Sequence, residues 1–179
     1  MRNKLSELLQ ITELGNPILR MKTNDINKIE DFEKSLIGNM KFTVGKVSGV
    51  GLAAPQVNES KSIFIIASKP NTRYPTAPDM QPEAIINPKI LSSSEEIVTD
   101  WEGCLSIPGL RGLVPRSKSI IAEYLNENGE KVKKQFDDFV ARIFQHEFDH
   151  LEGIVFLDRM ESSNDLVTER EYQQIISKK

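Results

Sequence analysis

Phe144-Gln145-His146-Glu147-Phe148-Asp149-His150-Leu151 contains both histidines of the chain, four residues apart, with a glutamate directly after the first. On a helix this His-Glu-x-x-His spacing sets the imidazoles one turn apart on one face, where both can hold a single metal ion. The glutamate between them is placed to handle the proton of a water held there. The flanking pattern predicts the helix. Phe139, Ile143, His146 and His150 form one stripe, and Val140, Phe144, Glu147 and Leu151 form a second beside it. Ala141, Gln145, Asp149 and Glu152 collect on the opposite side. Asp137 and Asp138 suit the helix start and Gly153 its stop. The histidines therefore continue the apolar face and point inward. A lone buried histidine is more often a core residue with a satisfied hydrogen bond. Two unpaired imidazoles in one buried stripe are costly, however, and a shared cation removes that cost.

The 179 residues suffice for one domain, 1–179, with a core that needs no staples. Apolar residues make up 39% and charged residues 27%, the composition of a globular protein in water. A net charge of −3 offers no general attraction to DNA or to anionic membranes, so neither is expected as a partner. Residues 1–10 have no continuous apolar core and no small-residue cleavage site, so no secretory leader is expected. The longest apolar run, Ile63-Phe64-Ile65-Ile66-Ala67, is a buried strand in length and too short to cross a bilayer. One cysteine excludes an internal disulfide, and a single thiol points to a reducing cytoplasm where metal binding or catalysis is its natural use.

Along the chain, Ile29, Phe32, Leu36, Met40 and Val44 predict an amphipathic surface helix over 27–44. Gly49-Val50-Gly51-Leu52-Ala53-Ala54-Pro55-Gln56-Val57 follows. Its two glycines among small neighbours imply close backbone approach to a strand or a ligand, or simply a tight packing turn. It has no phosphate-loop lysine and opens no evident helix, which excludes a nucleotide site. Residues 62–67 read as a buried strand and the proline-rich stretch 68–82 as a surface loop. A second strand over 84–91 is interrupted by Asn87-Pro88, so it is expected to be irregular or at a sheet edge. Ile97-Val98-Thr99-Asp100-Trp101 leads into Glu102-Gly103-Cys104-Leu105-Ser106-Ile107-Pro108. Strands at 119–125 and 131–136 flank the hairpin signal Asn126-Glu127-Asn128-Gly129. After the histidine helix come a short apolar segment, Ile154-Val155-Phe156-Leu157, and a terminal helix over 166–176. This order implies an α+β fold of mostly antiparallel strands packed around one buried metal-binding helix, with a helix near each end.

Two histidines need at least one more protein ligand, with a position left open for water. Glu169 and Glu171 lie at the distance at which some metallopeptidases place a third ligand, but on a polar terminal helix where glutamates are usually only solvated. Cys104, the lone thiol, sits in a glycine-flanked turn. A lone cysteine is often a small buried hydrophobe, yet a cysteine with two histidines uses every soft ligand in the chain. Chemistry favours Cys104 over the glutamates.

Three segments, Gly49-Val50-Gly51-Leu52-Ala53-Ala54-Pro55-Gln56, Glu102-Gly103-Cys104-Leu105-Ser106 and Gln145-His146-Glu147-Phe148-Asp149-His150, resemble in order and separation the three signature motifs of peptide deformylases. The resemblance runs from Leu14-Gly15-Asn16-Pro17 through Val155-Phe156-Leu157-Asp158, and no signature covers the chain beyond Arg159. It implies a hydrolase that removes the formyl group from the N-terminal formyl-methionine of new polypeptides in the cytoplasm. The ribosome near its exit tunnel is then a candidate partner. It implies Cys104, His146 and His150 as ligands of one divalent ion, usually Fe(II), with zinc, nickel or cobalt able to take its place. Glu147 would be the general base, and the Gln56 amide and Leu105 backbone N–H would donate to the developing oxyanion. The peptide would lie as an added strand on main-chain groups of Val50, Gly51 and Gly103, which would explain the glycines. Its methionine would enter a pocket of Val50, Ile143, His146 and the stem of Arg142. Arg111 would either contact the substrate further along or be a solvated surface arginine. Glu102 and Arg116 would be structural.

Overall fold

Residues 6–70, 74 and 76–178 are described by a computed structural model. In chain order their helices and strands are α1 (Asp31–Lys46), β1 (Gly51–Ala53), β2 (Ile63–Ile66), β3 (Glu83–Ser93), β4 (Ile97–Cys104), β5 (Ile107–Ser117), β6 (Ser119–Leu125), β7 (Lys131–Asp137), α2 (Asp138–Leu151), β8 (Leu166–Thr168) and α3 (Glu169–Ser177). The strands form a five-stranded sheet, β1-β2-β3-β6-β7, and a three-stranded sheet, β4-β5-β8. Every strand pair in both is antiparallel. The fold is α+β, as the element order implied. No helix among the described residues is long and apolar enough to cross a membrane.

Strand β2 shows how the core is divided. Alternate side chains of a strand point to opposite faces, and all four of its residues are buried. Ile63 and Ile65 join Leu36, Ile37, Met40 and Val44 of α1 on one face. Phe64 and Ile66 join Phe136, Ala141, Phe144 and Leu151 on the other, under α2. Phe144 anchors that second layer, with its ring edge-on to Phe64 at 5.0 Å and tilted against Phe136 at 4.9 Å. A sheet covered on both faces has continuous apolar strands, which is why Ile63-Phe64-Ile65-Ile66 shows no polar alternation.

Three expectations change in detail. Helix α1 starts at Asp31, not at 27, because the Glu30 backbone N–H donates to the Glu33 carboxylate at 3.1 Å in a capping box. Strand β3 is irregular but central, not at an edge. Its register shifts between Ile86 and Lys89, and Asn87 there takes a positive φ of 48° while its amide exchanges two hydrogen bonds with the backbone of Ile26. Residues 166–168 form β8 on β5, and α3 begins only at Glu169. Ala141 and Asp149, on the face of α2 opposite the histidines, are buried as well. The helix touches strands of both sheets, so neither side of it is free.

Candidate metal centre

Helix α2 and the turn after β4 meet at the histidines. One donor atom each of Cys104, His146 and His150 lies within 4.8 Å of the other two, and all three residues are buried. Cys104 Sγ is 3.2 Å from His150 Nε2. One thiol and two imidazoles make a donor set for a d-block dication. Burial pushes the Cys104 thiol up, but His150 and His146 beside it outweigh that and hold it well below the ordinary thiol value. The sulfur is therefore poised as thiolate, the form that binds metal. Glu169, the rival third ligand, is turned away: its carboxylate accepts from Arg111 Nε at 2.7 Å. Glu171 accepts from Arg170 on the exposed side of α3.

Glu102 does more than the structural service expected of it. It is 4% exposed, and its carboxylate lies 2.8 Å from His146 Nδ1, fixing that ring so that the other nitrogen faces the cysteine and His150. Arg116 grips the same carboxylate with two bonds of 2.9 and 3.0 Å, and Arg142 adds a third at 2.9 Å. Burial would raise this acid, but His146 and Arg116 hold it well below the usual carboxylate range. Arg116 also bonds Asp149 of α2 at 2.6 Å, and Arg159 bonds Asp149 at 2.7 Å. A buried network of this kind is stable only when every charge has its partner.

Gln56 sits in a 3-10 turn, Ala54–Val57, directly after β1. Its Oε1 accepts the Ala53 backbone N–H at 2.8 Å, which turns the NH2 group toward Cys104 Sγ (3.3 Å) and Ser106 Oγ (3.2 Å). Leu105 lines the same cavity. Glu147 faces it from α2, 4% exposed, with Oε2 lacking any hydrogen-bond partner among the described residues; His150 Nδ1 is likewise unpartnered. Burial pushes Glu147 up to about 7. A carboxylate in that range can both take and return a proton at neutral pH. The donor set and these two buried, unpaired polar atoms fit a site built for a cation and its reactants.

Val50, Gly51, Gly103, Arg142, Ile143 and His146 all border the cavity, beside Phe139 of the histidine stripe and beside Tyr74 and Trp101, to which the sequence reading gave no role. The glycines have reasons other than room for a substrate. A Cβ on Gly51 would stand 2.3 Å from Glu147 Oε1, and one on Gly103 would stand 2.9 Å from Arg111 Cδ. Arg111 is not a solvated surface residue: its side chain is fully buried. Its guanidinium lies over the rings of Tyr74 and Tyr172, 5.1 and 4.9 Å from their centroids, donates to the Tyr74 hydroxyl at 2.8 Å and pairs with Glu169. It supports β4 from behind and is absent from the cavity lining.

The family model described as polypeptide deformylase matches residues 8–165. Peptide deformylase 2 of Nostoc sp. is 54% identical over 173 residues, covering 96% of this chain and 97% of that one. Peptide deformylase 2 of Shewanella oneidensis is 40% identical, covering 89% and 88% of the two chains. Among solved structures, a class I type b peptide deformylase from Acinetobacter baumannii with Met-Ala-Ser bound aligns with a TM-score of 0.85 at 41% identity, covering 87% of this chain and all of that one. The enzyme of Thermotoga maritima aligns at 0.78 and 36% identity, covering 87% and 99%.

Proposed function

The chain belongs to the polypeptide deformylase family, and we propose from its site how it carries out that family's reaction. It is a hydrolase that removes N-formyl groups from nascent peptides, in a metal-dependent family. Cys104, His146 and His150 would hold one divalent ion. We assign Fe(II), the family's usual metal, although the same donors suit zinc, nickel or cobalt. When bound, the ion supplies Lewis acidity, lowering the pKa of water and polarising a carbonyl.

The chain's own groups do the rest. Glu147 takes the proton of the attacking water and returns it to the departing amine nitrogen, tasks that suit a pKa of about 7. The Gln56 NH2 and the Leu105 backbone N–H donate to the formyl oxygen as charge builds on it. Losing one such donor costs about a hundred- to a thousandfold in rate. β1 and β4 are edge strands of their sheets, so an extended peptide between them would pair with main-chain groups of Val50, Gly51 and Gly103 on their open sides. The methionine side chain fills the space bounded by Val50, Ile143, His146 and the Arg142 stem. Arg111 serves this site by propping Gly103 and not by touching substrate. Residues 1–179 act as one catalytic domain in the cytoplasm, on chains emerging near the ribosomal exit tunnel.

One observation carries this reading: buried Glu147, whose Oε2 has no hydrogen-bond partner among the described residues, lines the same cavity as Cys104 and His146, beside the point where the three metal donors converge. Metal-loaded protein prepared without oxygen should release formate from formyl-Met-Ala-Ser, and Glu147→Ala should keep its metal and lose turnover. A Glu147→Ala enzyme running near the wild-type rate would overturn the general-base assignment, and absence of formate would overturn the activity.

A further inference from the structure

We propose that Ser106 is a positioning residue, whose buried hydroxyl takes one N–H of the Gln56 amide and so leaves the other, beside Cys104 Sγ, for the cleft. The inference rests on the donor role given to Gln56 above and adds the group that makes the donor usable. A side-chain amide has an acceptor oxygen and two N–H donors. The Ala53 N–H engages the oxygen at 2.8 Å and so decides which end of the amide faces the site. It does not decide where the two hydrogens go. Nε2 has two partners at nearly equal reach, Ser106 Oγ at 3.2 Å and Cys104 Sγ at 3.3 Å.

Those partners are not equivalent. A hydroxyl oxygen is a directional acceptor and a cysteine sulfur a weak one, so the hydroxyl is the partner that sets the plane of the amide. Remove the hydroxyl and one N–H loses its acceptor, so the amide keeps only the sulfur contact and its plane is no longer fixed toward the cleft. The hydroxyl is placed to resist this. Ser106 is fully buried, and its hydroxyl hydrogen-bonds to Gln56. The two backbones are also tied to one short segment: the Thr12 N–H donates to the Gln56 carbonyl at 2.7 Å and the Leu14 N–H to the Ser106 carbonyl at 2.8 Å. Both residues are thus held through their backbones as well as by the bond between hydroxyl and amide.

The test is a double-mutant cycle on the holoenzyme, with formate release from formyl-Met-Ala-Ser and metal content both measured, beside the Gln56 side-chain amide signals of ¹⁵N-labelled metal-free protein. Ser106→Ala should lower kcat about tenfold while KM and metal content stay within about twofold, and it should shift the Gln56 amide pair. In a Gln56→Ala background the same substitution should cost less than about twofold, because it acts through that amide. An equal loss in both backgrounds, or no loss in the first, would overturn the proposal. A Gln56→Ala enzyme with unchanged kcat would overturn the donor role itself, and with it any catalytic meaning for Ser106.

Discussion

Gly51→Ala changes one hydrogen to a methyl, and the structure says where that methyl goes. The added carbon would lie 2.3 Å from Glu147 Oε1, 2.7 Å from Cδ and 2.8 Å from Cγ. Ordinary van der Waals contact begins near 3.4 Å, so the carboxylate must retreat by about 1.1 Å or β1 must move. The backbone itself accepts alanine, since Gly51 is not among the glycines with positive φ. Nor can the carboxylate swing far, because it is buried beneath β1 on a helix whose neighbours are fixed. A displacement of this size at a proton-transferring group costs about a hundredfold in kcat. Overpacking adds about 1–3 kcal/mol of destabilisation. The assay is kcat for formyl-Met-Ala-Ser alongside metal content and thermal unfolding. Metal should remain, because the clash spares the three donors. Pairing the change with Glu147→Asp, which shortens the offending side chain, should restore much of the lost stability without restoring the rate. A Gly51→Ala enzyme within about threefold of wild-type kcat would show that Glu147 has no fixed position to lose, and the proton-relay argument would fall.

Other perturbations probe the surrounding groups. Glu102→Gln should weaken metal affinity by about ten- to a hundredfold, measured by competition with a chelator, because His146 loses the carboxylate that orients it. It should also destabilise the fold by about 3–5 kcal/mol, since Arg116 and Arg142 are left short of charge. Tyr124 should make the fold sensitive to alkali. Burial, with the hydrogen bond to Glu83, raises its pKa above the ordinary 10.0. That raised value gives stability that is whole below the unfolded pKa and is lost as pH climbs through the folded one. The stability difference between wild type and Tyr124→Phe should therefore shift progressively against wild type as pH rises above about 10, the unfolded value, and a constant difference would contradict it. Fe(II)-loaded enzyme should lose activity in peroxide faster than nickel-loaded enzyme, since an iron-bound thiolate oxidises; equal decay would refute that oxidation argument.

The histidine helix was legible because a metal site on an amphipathic face writes its spacing into the sequence, and 139–151 carries both patterns. The asparagine-glycine hairpin was legible for the same local reason: Asn126 Oδ1 accepts the N–H groups of Asn128 and Glu130 within the turn. Strand β5 was not legible. Pro108, Gly109, Gly112 and Pro115 break any propensity signal, yet Gly112 is required because a Cβ there would meet Met160 Sδ at 2.6 Å. Pro115 is tolerated because β8 pairs only Leu110, Arg111 and Gly112, so its missing N–H costs no bond on that side.

At the site, sequence reading found the donors and the glycines but not what the glycines make room for. Gly51 accommodates Glu147 and Gly103 accommodates Arg111, neighbours fixed only by the meeting of β1, β4, β5 and α2. Arg111 misled because arginine is mostly exposed unless paired, and its partner Glu169 is 58 positions away across the β5–β8 junction. Glu102 and Ser106 flank the cysteine in a motif that was recognised, but single polar residues leave no periodic trace from which a partner can be read.

The central claim is that one sulfur and two imidazoles hold one cation. X-ray absorption at the metal edge of oxygen-free holoenzyme measures this directly. With zinc loaded, the expected spectrum has one sulfur neighbour at about 2.3 Å and two imidazole nitrogens at about 2.0–2.1 Å, with the sulfur shell gone in Cys104→Ser. A wild-type spectrum of nitrogen and oxygen neighbours alone would contradict it.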